Sequence, residues 1–237
     1  MNFKTFLIIA TLLAAAALPI AIRLSVAENP THSLKFQPLE KVKNAIQPLK
    51  AKQANIKEIL QTKRCVRCDL SGLNLSGADL SGADFRNTDL SRANLKNTKL
   101  KDAKMSGARL NSTNLTHADL DGADFKGSDL KGADLSDAQL LNTDLTKANL
   151  STATLKRAEL RDADLTGAKL ESANLSSASL VGAHLTEANL TGANLSNAVL
   201  RYADLSKATL NKTNLSGADL SLAIMPDGTS AYGTTQY

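Results

Sequence analysis

From Leu70 to Leu220 every fifth residue is Leu, Phe or Met, 31 positions in succession without an exception. Two places before each stands a small side chain, usually Ala as at Ala78, Ala83 and Ala93, sometimes Ser or Thr, with Leu73 the one large residue in that phase. The place between is most often Asp or Asn. All eleven glycines from Gly72 to Gly217 fall two places after the large apolar residue, and no proline occurs between Pro48 and Pro226. An amphipathic helix repeats its apolar positions every 3.6 residues and a strand every second one. A period of five with a single phase for glycine instead predicts a bend in every repeat. Turns that need a positive φ take Gly or Asn at their third residue, and Asp or Asn side chains bond the nearby backbone.

Successive corners close into a coil, and the polar columns count the corners. At a step of twenty, Asn74, Asn94, Asn114, Asn174, Asn194 and Asn214 align, interrupted by Asp134 and Thr154. Another such column reads Asp84, Lys104, Asp124, Asp144, Asp164, His184, Asp204, with no Asn. Phe85 and Phe125 also share a column, with Met105 between them. Four repeats per turn describe an all-β solenoid of square section with Leu, Phe and Met on its axis. About 31 repeats make nearly eight coils, which at about 4.8 Å per coil span roughly 35–40 Å. Each buried large side chain contributes roughly 1.5–3 kcal/mol gross, and stability is distributed over contacts between neighbouring coils. Stacked amides are expected in the Asn column.

The units "ANLSG", "ADLSG" and "ADFRN" resemble the pentapeptide-repeat family, whose tandem Ala-(Asp/Asn)-Leu-X-X units form a right-handed quadrilateral β-helix. The resemblance covers about residues 68–223. It implies the handedness and the fold class; it does not imply an activity, because one fold hosts many functions. Family members with signal sequences are frequent in cyanobacteria, which implies export to the periplasm or the thylakoid lumen. Some members resemble duplex DNA and inhibit topoisomerases, and end-to-end dimers occur.

The flanks differ from the array. Residues 1–27 carry an early Lys4, an apolar run from Phe6 to Ile22 and small residues at Ser25 and Ala27, the pattern of a secretory signal cleaved before Glu28. The alternative is an uncleaved anchor, the one way this chain would meet a membrane through that segment. Residues 28–67 hold nine Lys/Arg against three Glu, whereas residues 68–223 hold 17 basic and 19 acidic side chains. The overall charge of +5 is thus an N-terminal property. Within 28–67, Pro38 to Ile46 and Leu49 to Thr62 read as short helices, the second with Ile56, Ile59 and Leu60 at helical spacing. A solenoid end needs covering, so the segment is expected to be a helical N-terminal cap; a basic arm for an anionic membrane surface is the alternative. Residues 224–237, rich in Gly and Thr and without period, read as a flexible tail.

Candidate chemistry is sparse. Cys65 and Cys68 are the only cysteines, on an inward large and an inward small position of the register. A Cys-x-x-Cys suits a redox or zinc motif, yet no second ligand pair exists and the thioredoxin context is missing; in an oxidising compartment a structural disulfide is the commoner outcome. His32, His117 and His184 are isolated in sequence, and nine Asn-x-Ser/Thr matches follow from the repeat itself. Asp124, Asp144 and Asp164 stack at about 4.8 Å, a repulsive arrangement unless each carboxylate bonds its own turn or a cation intervenes. No catalytic, cofactor-binding or metal constellation is recognised, and no enzyme is expected.

Among the outward positions, five large apolar residues stand out: Leu141, Val181, Val199, Tyr202 and Leu222. The four-per-coil register places all five on one wall, Leu141 apart from the rest. Exposed apolar patches mark interfaces, here for the chain's own tail or cap, or for a partner protein, a second copy among the candidates. The expected function is a non-enzymatic structural or protein-interaction module outside the cytoplasm, a rigid rod presenting one face to a partner. The alternative, a DNA-mimic inhibitor of a nucleic-acid enzyme, requires a strongly negative rod, and this array has a net charge of −2 with Lys99, Lys101, Lys104 and Arg109 clustered on it. No nucleic acid partner is expected.

Overall fold

Backbone pairing shows why the repeat has five residues. The computed structural model describes residues 56–231; the signal-like segment, the expected helix over 38–46 and the first part of that over 49–62 lie outside the described residues. From Arg64↔Asp84 to Asp204↔Ile224, parallel bridges join the middle residue of each repeat to the one twenty places later. Four repeats therefore make one coil, and its four walls are named here by their first core residues: Leu70, Leu75, Leu80 and Phe85.

Residues 145–149 show the accounting. The amide of Leu145 donates to Asp164 in the next coil (2.7 Å), that of Lys147 to Thr166 (2.9 Å), and that of Asn149 to Ser128 in the coil before (2.9 Å). Ala148 donates to Leu145 and closes the corner at 3.0 Å. Only Thr146, the first corner residue, finds no backbone acceptor in this scheme. Its amide is taken by the Asp144 carboxylate at 2.8 Å, and the same bond recurs from Lys126 to Asp124 and from Thr166 to Asp164. The stacked carboxylates thus each bond their own turn, and Asp or Asn occupies the middle of the repeat because one amide per repeat would otherwise be left to solvent. Gln139 does not fill that role, and there Asp121 of the preceding coil accepts from Leu141 instead (2.9 Å).

The axis is dry and filled. Phe85, Met105 and Phe125 are fully buried one above another, as are Leu residues of the other three columns and the Ala residues flanking them. Where Thr replaces Ala, its hydroxyl is also buried and bonds a core carbonyl 23 residues earlier, as Thr113 does to Leu90 (2.8 Å) and Thr143 to Leu120 (3.0 Å), which satisfies the polar atom. The amide ladder expected in the Asn column forms between Asn74 and Asn94 (3.0 Å) and between Asn194 and Asn214 (3.2 Å).

Corner geometry departs from the expectation of Gly or Asn. Thr152, Tyr202 and Leu222 hold φ values of 59°, 60° and 61°, although L-residues avoid that region and β-branched ones most of all. Coil closure overrides local preference there. Gly122 (φ 68°) is different: besides the dihedral, a Cβ at this place would run into the Asp102 carboxylate of the preceding coil.

Both ends are more ordered than their composition suggests. Residues 56–62 form a helix, α1, with Ile59 buried in the core cluster and Ile56 packed against it. At the other end, the expectation of a flexible tail from residue 224 is corrected for residues 224–231. Ile224 bridges Asp204, and Met225 continues the core column. A turn follows with Gly228 at φ 82° and the Asp227 carboxylate on the Thr229 amide (3.0 Å). The chain then returns antiparallel, Ser230 opposite Ile224.

Asp144→Ala should cost about 1 kcal/mol through the lost turn bond, whereas Asp144→Asn, which keeps the acceptor and removes a charge from a column of carboxylates, should be neutral or stabilising. Urea denaturation of the two variants beside the parent decides; equal losses would show that the charge, not the acceptor, matters.

Candidate interaction surface

The Leu80 wall carries the five outward apolar residues, and the structure separates them into two groups. Leu141 follows core Leu140 and is half-buried beside a shallow depression of about 350 Å³ lined by Asp121, Gln139, Glu159 and Arg161. Arg161 is paired with Glu159 at 2.9 Å, so this side chain sits among charges. Val181 and Val199 are half-buried further along, Val199 bridged between Ser179 and Asp219. Tyr202 and Leu222 stand one above the other on the corner, 55% and 43% exposed, and the Arg201 guanidinium lies 5.7 Å from the Tyr202 ring centre.

Two further large apolar residues are exposed outside this group. Ile224, 38% exposed, lies past the corner from Leu222 and was assigned to the tail. Its signal was Met225, which keeps the period of five one step beyond Leu220. Leu60, on α1, is 40% exposed at the opposite end of the array.

Charge is unevenly spread around these residues. On the Leu75 and Leu80 walls, residues 134–142 and 154–162 carry seven charged side chains; residues 174–182, 194–202 and 214–222 carry only Arg201 and Asp219. The compact apolar group therefore lies in a charge-poor region, the composition of an interface core. Elsewhere charges pair between coils, as Arg157 with Asp137 (2.6 Å) and Arg109 with Asp89 (3.3 Å), or within a repeat, as Arg86 on both Asp84 oxygens (2.8 Å).

At the N-terminal end the Cys65 and Cys68 sulfurs lie at bonding distance, 2.07 Å, with Cα atoms 5.4 Å apart. They span the two residues, i and i+3, that a backbone bond joins at later corners. Thr88 donates its hydroxyl to the Cys65 carbonyl. Among the described residues no cluster of His, Cys, Asp and Glu is arranged to hold a metal ion, and no helix is long and apolar enough to cross a membrane. His184 stands between Asp164 and Asp204 through its bridges, and His117 neighbours the Asp137–Arg157 pair in a polar column.

With this geometry, the sequence matches the family described as pentapeptide repeats, in eight copies, over residues 68–107, 93–132, 133–171, 168–201 and 188–225. The chain belongs to that family, whose members fold as right-handed quadrilateral β-helices and are in general structural or interaction modules. Among solved structures it is similar to HetL, a pentapeptide repeat protein involved in heterocyst differentiation regulation from the cyanobacterium Nostoc sp. strain PCC 7120. The identity is 35% over 71% of this chain and 91% of that one, with a TM-score of 0.38. A pentapeptide repeat protein from the Arabidopsis thaliana thylakoid lumen is 32% identical over 46% of this chain and 70% of its own, TM-score 0.23. Full-length QnrB1, a plasmid-mediated fluoroquinolone resistance protein, is 17% identical over 72% and 92%, with a TM-score of 0.50, a likeness of fold alone. No curated protein matches the sequence.

The paired carboxylates set the acid limit. The Arg86 guanidinium holds the Asp84 carboxyl down to about 2, and the Ser81 amide with Lys63 does the same for Asp79, also to about 2. A carboxylate whose folded pKa is lowered adds stability above its unfolded value, and that stability is lost as pH falls through the folded one. The melting temperature is expected to stay level down to about pH 4 and to fall between about pH 4 and about pH 2. Arg86→Gln should return the Asp84 titration, followed by carbon NMR, toward the ordinary carboxylate range.

Proposed function

We propose that this protein is a non-enzymatic interaction module that works outside the cytoplasm and presents the C-terminal half of its Leu80 wall to a partner protein. The carrying observation is the coincidence of Val181, Val199, Tyr202 and Leu222 with the charge-poor stretch of the array. The secretory pattern of residues 1–27 supports export to the periplasm or the thylakoid lumen. A DNA-mimic role is disfavoured because the array carries nearly equal numbers of acidic and basic side chains and nucleic-acid enzymes act on a dense polyanion. Light scattering of the purified protein and of a variant with Val181→Ser, Val199→Ser, Tyr202→Ser and Leu222→Ser tests the surface. A dimer that becomes a monomer identifies a second copy as the partner. If both are monomers, the parent should capture a protein from its native compartment that the variant loses; identical captures would refute the reading.

Under the same proposal α1 caps the N-terminal end, and Cys65 and Cys68 form a structural disulfide across the first corner, as export to an oxidising compartment favours. The closed loop is short, so the bond should be worth roughly 2 kcal/mol. Addition of dithiothreitol, or Cys65→Ala with Cys68→Ala, should lower the melting temperature by the same amount; a melting curve indifferent to reductant would exclude the bond.

A further inference from the structure

The first corner of the coil is closed differently from those that follow. At later corners the amide three places after the core residue bonds back to it, as Leu73 does to Leu70 (3.2 Å) and Ala78 to Leu75 (3.1 Å). Between Cys68 and Cys65 that bond is missing, and the two sulfurs stand in its place. The Cys65 carbonyl receives the Thr88 hydroxyl instead.

The backbone on the coil side does not need the sulfurs. The Cys65 amide donates to Asp84 (2.9 Å), the Arg67 amide to Arg86 (3.1 Å), and the Cys68 carbonyl accepts from Asp89 (2.8 Å). These bonds hold the corner to the second coil with or without a bridge. Among the described residues no backbone bond joins α1 to a coil in this way. A helix of residues 56–62 is too short to persist alone in water, so α1 depends on Ile59, buried in the core cluster, and on Ile56 packed against it.

A cavity of about 470 Å³ lies at this junction. Glu58 and Ile59 of α1 line it together with Cys65, Cys68 and Leu70 of the corner. Arg64 and Asp69 complete the lining, so with Glu58 it carries charge of both signs. Cys65 is 8% exposed and Cys68 is half-buried, which makes Cys68 the more accessible of the two.

Resting on the reading of this pair as a disulfide, we propose that Cys65–Cys68 is a thiol–disulfide exchange site for a dithiol reductant, and that its reduction unseats α1 while the coils stay intact. A thiolate of the dithiol enters the cavity and attacks the Cys68 Sγ; the Sγ–Sγ bond breaks, and Cys65 leaves as a thiolate that takes up a proton. The second sulfur of the dithiol then attacks the mixed disulfide and releases Cys68, which takes up the second proton. Two electrons pass to the protein, and the dithiol becomes a disulfide. With no corner bond to replace the bridge, the two cysteines part and Ile59 loses its seat. Leu75, which lines a second cavity with Ile56 and Leu60, is then uncovered. The rod gains an apolar end and an open strand edge only under reducing conditions.

Hydrogen exchange at the Lys63 amide reads the seat directly, because that amide donates to the Ile59 carbonyl (2.8 Å). Dithiothreitol without denaturant should leave both cysteines open to alkylation and speed Lys63 exchange by about tenfold or more, with the Leu145 and Asn149 amides unchanged. Reoxidation should restore the slow rate. Cys65→Ser with Cys68→Ser should show the fast rate whether or not reductant is present. A bond that dithiothreitol reduces only in urea would overturn the exchange site and leave the disulfide reading intact. Reduction without any change at Lys63 would overturn the unseating of α1. Two free thiols in protein exported and purified without reductant would refute the disulfide reading, and the proposal with it.

Discussion

The repeat is organised around one hydrogen bond that the backbone cannot make for itself. Coil-to-coil pairing and the corner bond use four of the five amides in a repeat, and where the middle residue is Asp or Asn the fifth, on the first corner residue, is met by that side chain two places earlier, as Thr146 is by Asp144. Because that acceptor is local, each corner is completed within its own repeat and needs nothing from the other walls. The large residue then faces the axis and the small one lets neighbouring walls approach, so a chain that closes one corner closes all of them. A buried or half-buried backbone donor without a partner costs free energy comparable to a lost hydrogen bond, and a repeated cost would be multiplied by the number of corners. This explains why Asp or Asn fills the middle position in 20 of the 31 repeats, while Lys, Arg, Gln, Glu, Ser, Thr, His or Val stands there in the other eleven.

That freedom at the corners is bounded by the stack. A residue in one coil has the same column of the next coil as its neighbour at strand spacing, so outward side chains are chosen in columns and not one by one. Arg157 above Asp137, Arg109 above Asp89 and Lys207 above Glu187 (3.7 Å) obey this as ion pairs. Each is exposed and individually worth little, and like above like, as in Asp124, Asp144 and Asp164, occurs where each carboxylate bonds its own turn. Tyr202 beneath Leu222 obeys it with apolar surface. The corner dihedral reinforces the point: Tyr202 and Leu222 occupy left-handed backbone where glycine would be less strained, so the local backbone gives no reason for these side chains.

Much of this was legible in the sequence because a strict period carries register. Leu70 to Leu220 mark the core, the twenty-residue columns count the walls, and the Asp column points either to local bonding or to an intervening cation, of which the structure shows the first. What escaped did so where period and composition disagreed. Met225 continues the core column, but Pro226 and Gly228 directly after it resembled the start of a tail; in fact they form the turn that sends residues 229–231 back over the last coil. Ile224 was lost with them. Leu141 had the right wall but the wrong company, since the columns show position and not the Glu159–Arg161 pair beside it. The left-handed conformation of Thr152 was invisible because turn statistics describe isolated turns, and a closed coil imposes its own angles.

The charge-poor stretch also constrains how any partner is chosen. Electrostatic complementarity steers encounters and rejects wrong partners, and a surface with only Arg201 and Asp219 across three coils and two walls offers almost none of it. Recognition there must come from shape: a flat wall of small side chains, Ser179, Gly182 and Ser196 among them, with a raised corner of Tyr202 and Leu222. A complementary surface would be a flat one with a recess for the ring, and binding would be weakly dependent on salt. The basic N-terminal segment, by contrast, sits at the other terminus of the chain with its own charge of +6 over residues 28–67.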